Sequence, residues 1–97
     1  MIDKELEDRV KKYIELETEA LKKIDISVPE NSFLKVYTDD LMNMVRSYFD
    51  DAKHFFKKGD YINSLSCLNY SYGWLDSGIR LGVIEGKSDY RLFTMYK

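Results

Sequence analysis

Cys67 is the only cysteine in the sequence and His54 the only histidine. Nucleophilic catalysis needs a nucleophile, a base and an orienting group in one place. Cys67 lies in a line of small residues at helical spacing, with Ser64, Ser71 and Gly78, where a free cysteine behaves as a small hydrophobe. His54 falls on the outer side of the preceding helical pattern. The two predict no catalytic dyad, and no catalytic residue is assigned. Asp50 and His54 are spaced i,i+4 and could offer two ligands to a metal, but a site needs several donors converging. Carboxylate-rich iron sites of helical bundles use Glu-x-x-His, and here Asp51 stands where that glutamate belongs. No metal site and no cofactor is predicted.

A second set of residues suits recognition rather than catalysis. Asn69, Asp76 and Arg80 fall on one narrow strip of a helix at about 100° per residue. Asp76 and Arg80 are i,i+4 in the favourable acid-first order. Such a pair is commonly a plain surface contact. It is also the arrangement in which Arg80 could clamp a carboxylate or phosphate while Asp76 holds its guanidinium in place. Tyr70 and Trp74 lie one turn apart on a different flank, near Leu81. Trp and Tyr are the usual anchors of protein interfaces, and an anchoring role predicts an exposed Trp74. Lys53, Lys57, Lys58 and Tyr61 make a small basic corner, diluted by Asp50, Asp51 and Asp60. With a net charge of -2 and a pI near 5.4, the chain lacks the clustered basic face that nucleic acid requires. No nucleic-acid partner is predicted.

Those side chains must be positioned by helices. The chain has 97 residues, with one proline, 44% hydrophobic and 33% charged. That is the size of one domain, 1–97, with a single modest core. A lone cysteine excludes an internal disulfide framework, and the apolar fraction argues against disorder. No run of about 18 apolar residues is present to span a membrane. The charged N-terminus does not read as a signal peptide, so a cytoplasmic location is expected. Apolar residues recur at steps of 3 and 4 almost throughout. Leu6, Val10, Tyr13, Ile14, Leu21 and Ile24 form a stripe that Glu17 interrupts, which predicts a first helix over 3–24 capped by Asp3. Residues 25–31 break the pattern around Pro29. Ser27, Asn31 and Ser32 compete as the cap of a second helix, 32–58, which Thr38-Asp39-Asp40 could bend or restart. Gly59-Asp60 reads as the left-handed end of one helix followed by the N-cap of the next, so the helices on either side are antiparallel neighbours. The third helix, 61–83, carries a heptad-like seam of Tyr61, Leu65, Leu68, Tyr72, Leu75, Ile79 and Gly82. Beside the seam runs the small-residue stripe. No strand is predicted. The tail, 84–97, ends in Tyr90, Leu92, Phe93 and Met95, which are expected to pack back on the bundle. The fold class is all-α, a single antiparallel up-and-down three-helix bundle.

Two stretches carry a resemblance. Arg46-Ser-Tyr-Phe-Asp-Asp-Ala-Lys-His-Phe-Phe-Lys-Lys-Gly-Asp-Tyr61 and Tyr70-Ser-Tyr-Gly-Trp-Leu-Asp-Ser-Gly-Ile-Arg-Leu-Gly82 together resemble a small archaeal family known only as domain of unknown function 357. Leu92-Phe93-Thr94 is similar to that family's ending. The resemblance is specific over 46–82. It implies a closed, up-and-down three-helix bundle and implies no activity.

The sequence supports two functional expectations. One is a non-catalytic helical interaction module, binding another protein or itself, through Asn69, Tyr70, Trp74, Asp76 and Arg80. The other is a small-molecule-binding domain or enzyme built on the polar strip, which requires a concave pocket beside Asp76 and Arg80.

Overall fold

A computed structural model describes residues 2–86. It contains three helices, α1 (Ile2–Lys23), α2 (Phe33–Lys57) and α3 (Tyr61–Leu81), and two short strands, β1 (Asp25–Ile26) and β2 (Ile84–Glu85). The all-α bundle expected from the periodicity is present. The tail residues Tyr90, Leu92, Phe93 and Met95 lie outside the described residues.

Local chemistry sets the helix ends. Asp3 lies inside α1 rather than before it, so it is not the cap. Ser32 is the cap of α2: its backbone is extended, and its hydroxyl accepts from the Lys35 N–H at 3.2 Å. The helix runs unbroken through Thr38-Asp39-Asp40. Thr38 is fully buried and its hydroxyl donates to the Leu34 carbonyl at 2.6 Å. It thereby satisfies itself within the helix instead of capping a new one. At the tight turn Gly59 has φ 80°, and the Asp60 carboxylate accepts from the Asn63 N–H at 3.2 Å. The turn therefore forms as its residue types require, and α2 and α3 run antiparallel.

Helix α3 is rotated relative to its predicted seam. Its buried residues are Ser64, Leu68, Ser71, Leu75 and Gly78, whereas Tyr61, Leu65, Tyr72 and Ile79 are half-buried at the edges. The small residues lie on the centre line because α2 approaches closely there. The Ser64 hydroxyl donates to the Ala52 carbonyl at 2.6 Å, and Ser71 Oγ lies 2.7 Å from the Val45 carbonyl oxygen. Gly78 completes the line: a Cβ there would stand 3.4 Å from Leu41 Cδ1 and 2.6 Å from Ile84 Cδ1. Large apolar side chains on this line would push the helices apart. The α2–α3 pairing is accordingly the densest in the molecule, and α1 lies against both more loosely.

Gly82, assigned to the seam from sequence, instead ends α3 at φ 92°, its N–H donating to the carbonyls of Gly78 and Ile79. The chain then turns back, and β2 pairs antiparallel with β1, Asp25 opposite Glu85 and Ile26 opposite Ile84. The Ser27 N–H donates to the Val83 carbonyl at 3.0 Å and its hydroxyl to the Gly82 carbonyl at 2.9 Å. This bridge ties the α1–α2 connection to the end of α3. Strands of two residues have no alternation to detect, which is why the sequence pattern does not reveal them. The core falls into two clusters along the bundle. Ala20, Leu41, Met42, Val45, Leu75, Val83 and Ile84 pack near the strands, and Val10, Phe49, Ala52 and Leu68 pack toward the α2–α3 turn.

Candidate functional site

The five candidate residues lie on α3 but divide between two faces. Asn69 and Asp76 face the α1 side, where they line an open groove of about 410 Å³ with Tyr13, Leu16, Leu68, Tyr72 and Gly73. Arg80 reaches back to Asp76, Nε to Oδ2 at 3.6 Å, with 65% of its side chain exposed. It does not line the groove. The other oxygen of the carboxylate, Asp76 Oδ1, is buried and has no hydrogen-bond partner among the described residues. The polar strip therefore exists, but it is an acidic groove wall with its arginine outside rather than an arginine clamp.

Tyr70 and Trp74 lie on the other flank, against α2. The Tyr70 ring meets Tyr48 edge-on, with centroids 4.6 Å apart, and meets Trp74 at 6.2 Å. Trp74 is half-buried and packs on the core cluster near the strands, which corrects the expectation of an exposed tryptophan. Its breadth lets it cover the seam between α2 and α3, where small residues leave room. Tyr70 is the exposed member, at 49%.

The larger feature of this flank is one that periodicity did not single out. Phe33, Leu34, Val36 and Tyr37 on the first turns of α2 are all exposed, as is Leu81 at the end of α3. Phe33 is 85% exposed. The antiparallel register set by Ser64–Ala52 and Ser71–Val45 carries on to set 33–37 beside 79–83. Tyr37, Met44 and Tyr48 share one stripe of α2, and Tyr70, Trp74 and Leu81 share one stripe of α3, by their helical spacing. Together they form an apolar and aromatic face along the α2–α3 seam. The sequence signal was available for Phe33 and Val36, which fall off the helical stripe of Leu34, Tyr37, Leu41 and Val45. That periodicity placed Leu34 and Tyr37 in the core, where they are instead exposed, because the first turns of α2 extend past the end of the packed bundle.

Among the described residues, Cys67 and His54 are not brought into one site. Burial raises the Cys67 thiol above its ordinary value, and the charge of Asp51 raises it further, so the sulfur is held as a thiol, the weaker nucleophile. His54 is exposed and its ring contact is with Phe55. Asp50 pairs with Lys53 at 3.5 Å. Among the described residues no three His, Cys, Asp or Glu side chains converge on a metal position, and no helix is long and apolar enough to cross a membrane.

Sequence reasoning also missed Glu17. It reads as an interruption of the α1 stripe, but it is fully buried. Its Oε2 lies 2.5 Å from Ser71 Oγ, and its Oε1 has no partner among the described residues. Burial raises its carboxyl to about 7, against a smaller opposing effect of the Ser71 contact.

The description "Protein of unknown function (DUF357)" matches residues 12–84. That span covers well over half of the 97 residues, including α2, α3 and most of α1. The chain belongs to this family. The crystal structure of protein AF1782 from Archaeoglobus fulgidus, a DUF357 member, superposes with a TM-score of 0.73 over 90% of this chain and 100% of that one, at 22% identity. At that identity the likeness concerns the fold. No curated protein matches the chain. DUF357 is a family of unknown function, so an assignment must come from the faces described above.

Proposed function

We propose that this DUF357 chain is a small non-catalytic helical interaction module that docks a partner protein on its α2–α3 face. The observation that carries the reading is the set of exposed apolar side chains that the antiparallel register brings to one end of the α2–α3 pair, Phe33, Val36 and Tyr37 on α2 and Leu81 on α3, with the exposed Tyr70 further along α3. Exposed apolar patches of this kind mark interaction sites, and the aromatic content suits interface anchors. The test compares wild type with a Phe33→Lys/Leu81→Lys variant, chosen because both side chains are exposed and their loss leaves the core intact. In-cell cross-linking and mass spectrometry should place inter-chain links on 33–37 and 70–81 of wild type, and the variant should lose them while keeping wild-type circular dichroism. Light scattering distinguishes a second copy of this chain from a different protein. Links that fall elsewhere, or that survive in the variant, would refute the reading.

The groove beside Asp76 supports a second reading, a small-molecule site. Asp76 Oδ1 is buried without a donor, and Asn69, Tyr13 and Tyr72 surround the same groove. The ligand that suits it has a hydrogen-bond-donating cationic head and an apolar body. A thermal-shift series of arylalkylamines, cationic at neutral pH, on wild type and on Asp76→Asn tests it. Stabilisation lost in the variant supports a ligand site, and an equal response in both refutes it.

A further inference from the structure

The Glu17–Ser71–Val45 contacts set a problem of proton counting. Ser71 Oγ lies 2.5 Å from Glu17 Oε2 and 2.7 Å from the Val45 carbonyl oxygen. Both distances require a hydrogen between the oxygens. The serine has one hydrogen to donate, a carbonyl has none and a carboxylate has none. With Glu17 ionised, one of the two short contacts would bring two acceptors together with no proton between them. With Glu17 as the carboxylic acid, its O–H donates to Ser71 and the Ser71 hydroxyl donates to Val45. The remaining oxygen, Oε1, is buried without a partner, which an uncharged carbonyl oxygen tolerates far better than half of a carboxylate.

We infer that Glu17 keeps its proton in the folded bundle, and that this proton is the latch that seats α1 on the α2–α3 hairpin and is released when α1 loosens. The relay runs from α1 through α3 to α2, so it is the single polar tie joining all three helices among the described hydrogen bonds. When the proton passes to solvent, the charge left behind has no cation to meet. The titratable or charged groups nearest in register are Tyr13 on α1, Arg46 on α2 and Tyr72 on α3. Arg46 is exposed, and none of the three is among the influences on the Glu17 carboxyl, which are burial and Ser71. Within one turn of Val45 on α2 and of Ser71 on α3, the buried residues are Leu41, Met42, Phe49, Leu68 and Leu75. The ionised carboxylate is relieved by reaching water, and α1, the more loosely held helix, is the element that moves to let it.

For a folded-state value above the free one, docking is strongest where both states are protonated. It weakens as pH rises from the free value to the folded one, and stays weak above that. With a carboxyl moved from 4.5 to about 7, the opening equilibrium of α1 should rise by about 80-fold between those two pH values, and by about 300-fold from well below the lower to well above the upper. Two measurements test this. In wild type, the side-chain carboxyl carbon of Glu17, followed by ¹³C NMR, should titrate near 7, apart from the other glutamates. Amide-exchange protection factors in 14–21 should fall over the same interval relative to those of α3. Glu17→Gln should abolish that pH dependence, since its amide can donate to Ser71 and does not titrate. A Glu17 carbon that titrates with the exposed glutamates overturns the inference without any variant. So does an α1 protection profile with the same pH dependence in Glu17→Gln.

Discussion

Gly78 offers the sharpest test of how closely the helices pack. A methyl added there would stand 2.6 Å from Ile84 Cδ1, 3.2 Å from Ile84 Cγ1 and 3.4 Å from Leu41 Cδ1. Carbon atoms rest at about 3.5–4.0 Å, so Ile84 must yield by nearly an ångström. Ile84 is 2% exposed and belongs to the core cluster near the strands, so its terminal methyl has no solvent to swing into. Overpacking of this kind costs about 1–3 kcal/mol. The gain from replacing a helical glycine with alanine is at most about 1 kcal/mol, and less in a last turn. Gly78→Ala should therefore lose about 1 kcal/mol net. Ile84→Val removes the clashing methyl and alone costs about 0.5–1.5 kcal/mol. Combined, the two should fall short of additivity by about 1 kcal/mol or more, because the second change relieves the first. Urea unfolding of the four proteins, followed by circular dichroism at one pH, measures the cycle. Additivity within about 0.5 kcal/mol, or a Gly78→Ala variant more stable than wild type, would refute the close-approach argument.

Other expectations follow from the buried hydroxyls, the turn and Glu17. Ser64→Ala should cost about 1 kcal/mol, because the Ala52 carbonyl keeps its helical donor, whereas Ser71→Ala should cost about 1–3 kcal/mol because Glu17 loses its only partner; denaturant midpoints read the difference. Asp60→Ala, which deletes the carboxylate accepting from the Asn63 N–H, should lose about 1 kcal/mol of thermal stability. In wild type, unfolding free energy should fall by about 3 kcal/mol as pH rises from 4.5 to about 7, since the unfolded chain ionises Glu17 first and the folded chain does not.

Much of this molecule is decided by short-range rules, and those parts were legible in residue order. Three helices follow from steps of 3 and 4 in apolar residues. Gly59 and Asp60 end one helix and start the next because φ 80° suits glycine and a carboxylate suits free N–H groups. The antiparallel hairpin follows from so short a turn, and the resemblance over 46–82 agrees with the family to which the chain belongs. The division of the α3 candidates into an Asn69/Asp76/Arg80 strip and a Tyr70/Trp74 flank also follows from angle alone. Helical angle is a local property, so it can be counted along the chain.

What angle cannot supply is which side of a helix another helix chooses, and how near it comes. Of the large residues assigned to the α3 seam, Leu68 and Leu75 are buried as expected, while Tyr61, Leu65, Tyr72 and Ile79 stand at its edges. The centre line shifts onto Ser64, Ser71 and Gly78 because serine hydroxyls can bond to α2 carbonyls only at close range. Trp74 became a cover over that narrow seam and Gly82 a helix end. The Phe33–Leu81 face arises from two segments far apart in sequence that the register sets side by side. Glu17 shows the difference most plainly. In the sequence it is a charged residue interrupting an apolar stripe. Only the packing of α2 and α3 around it supplies Ser71 and removes water, and the chemistry of a carboxyl depends on those two things more than on its own identity.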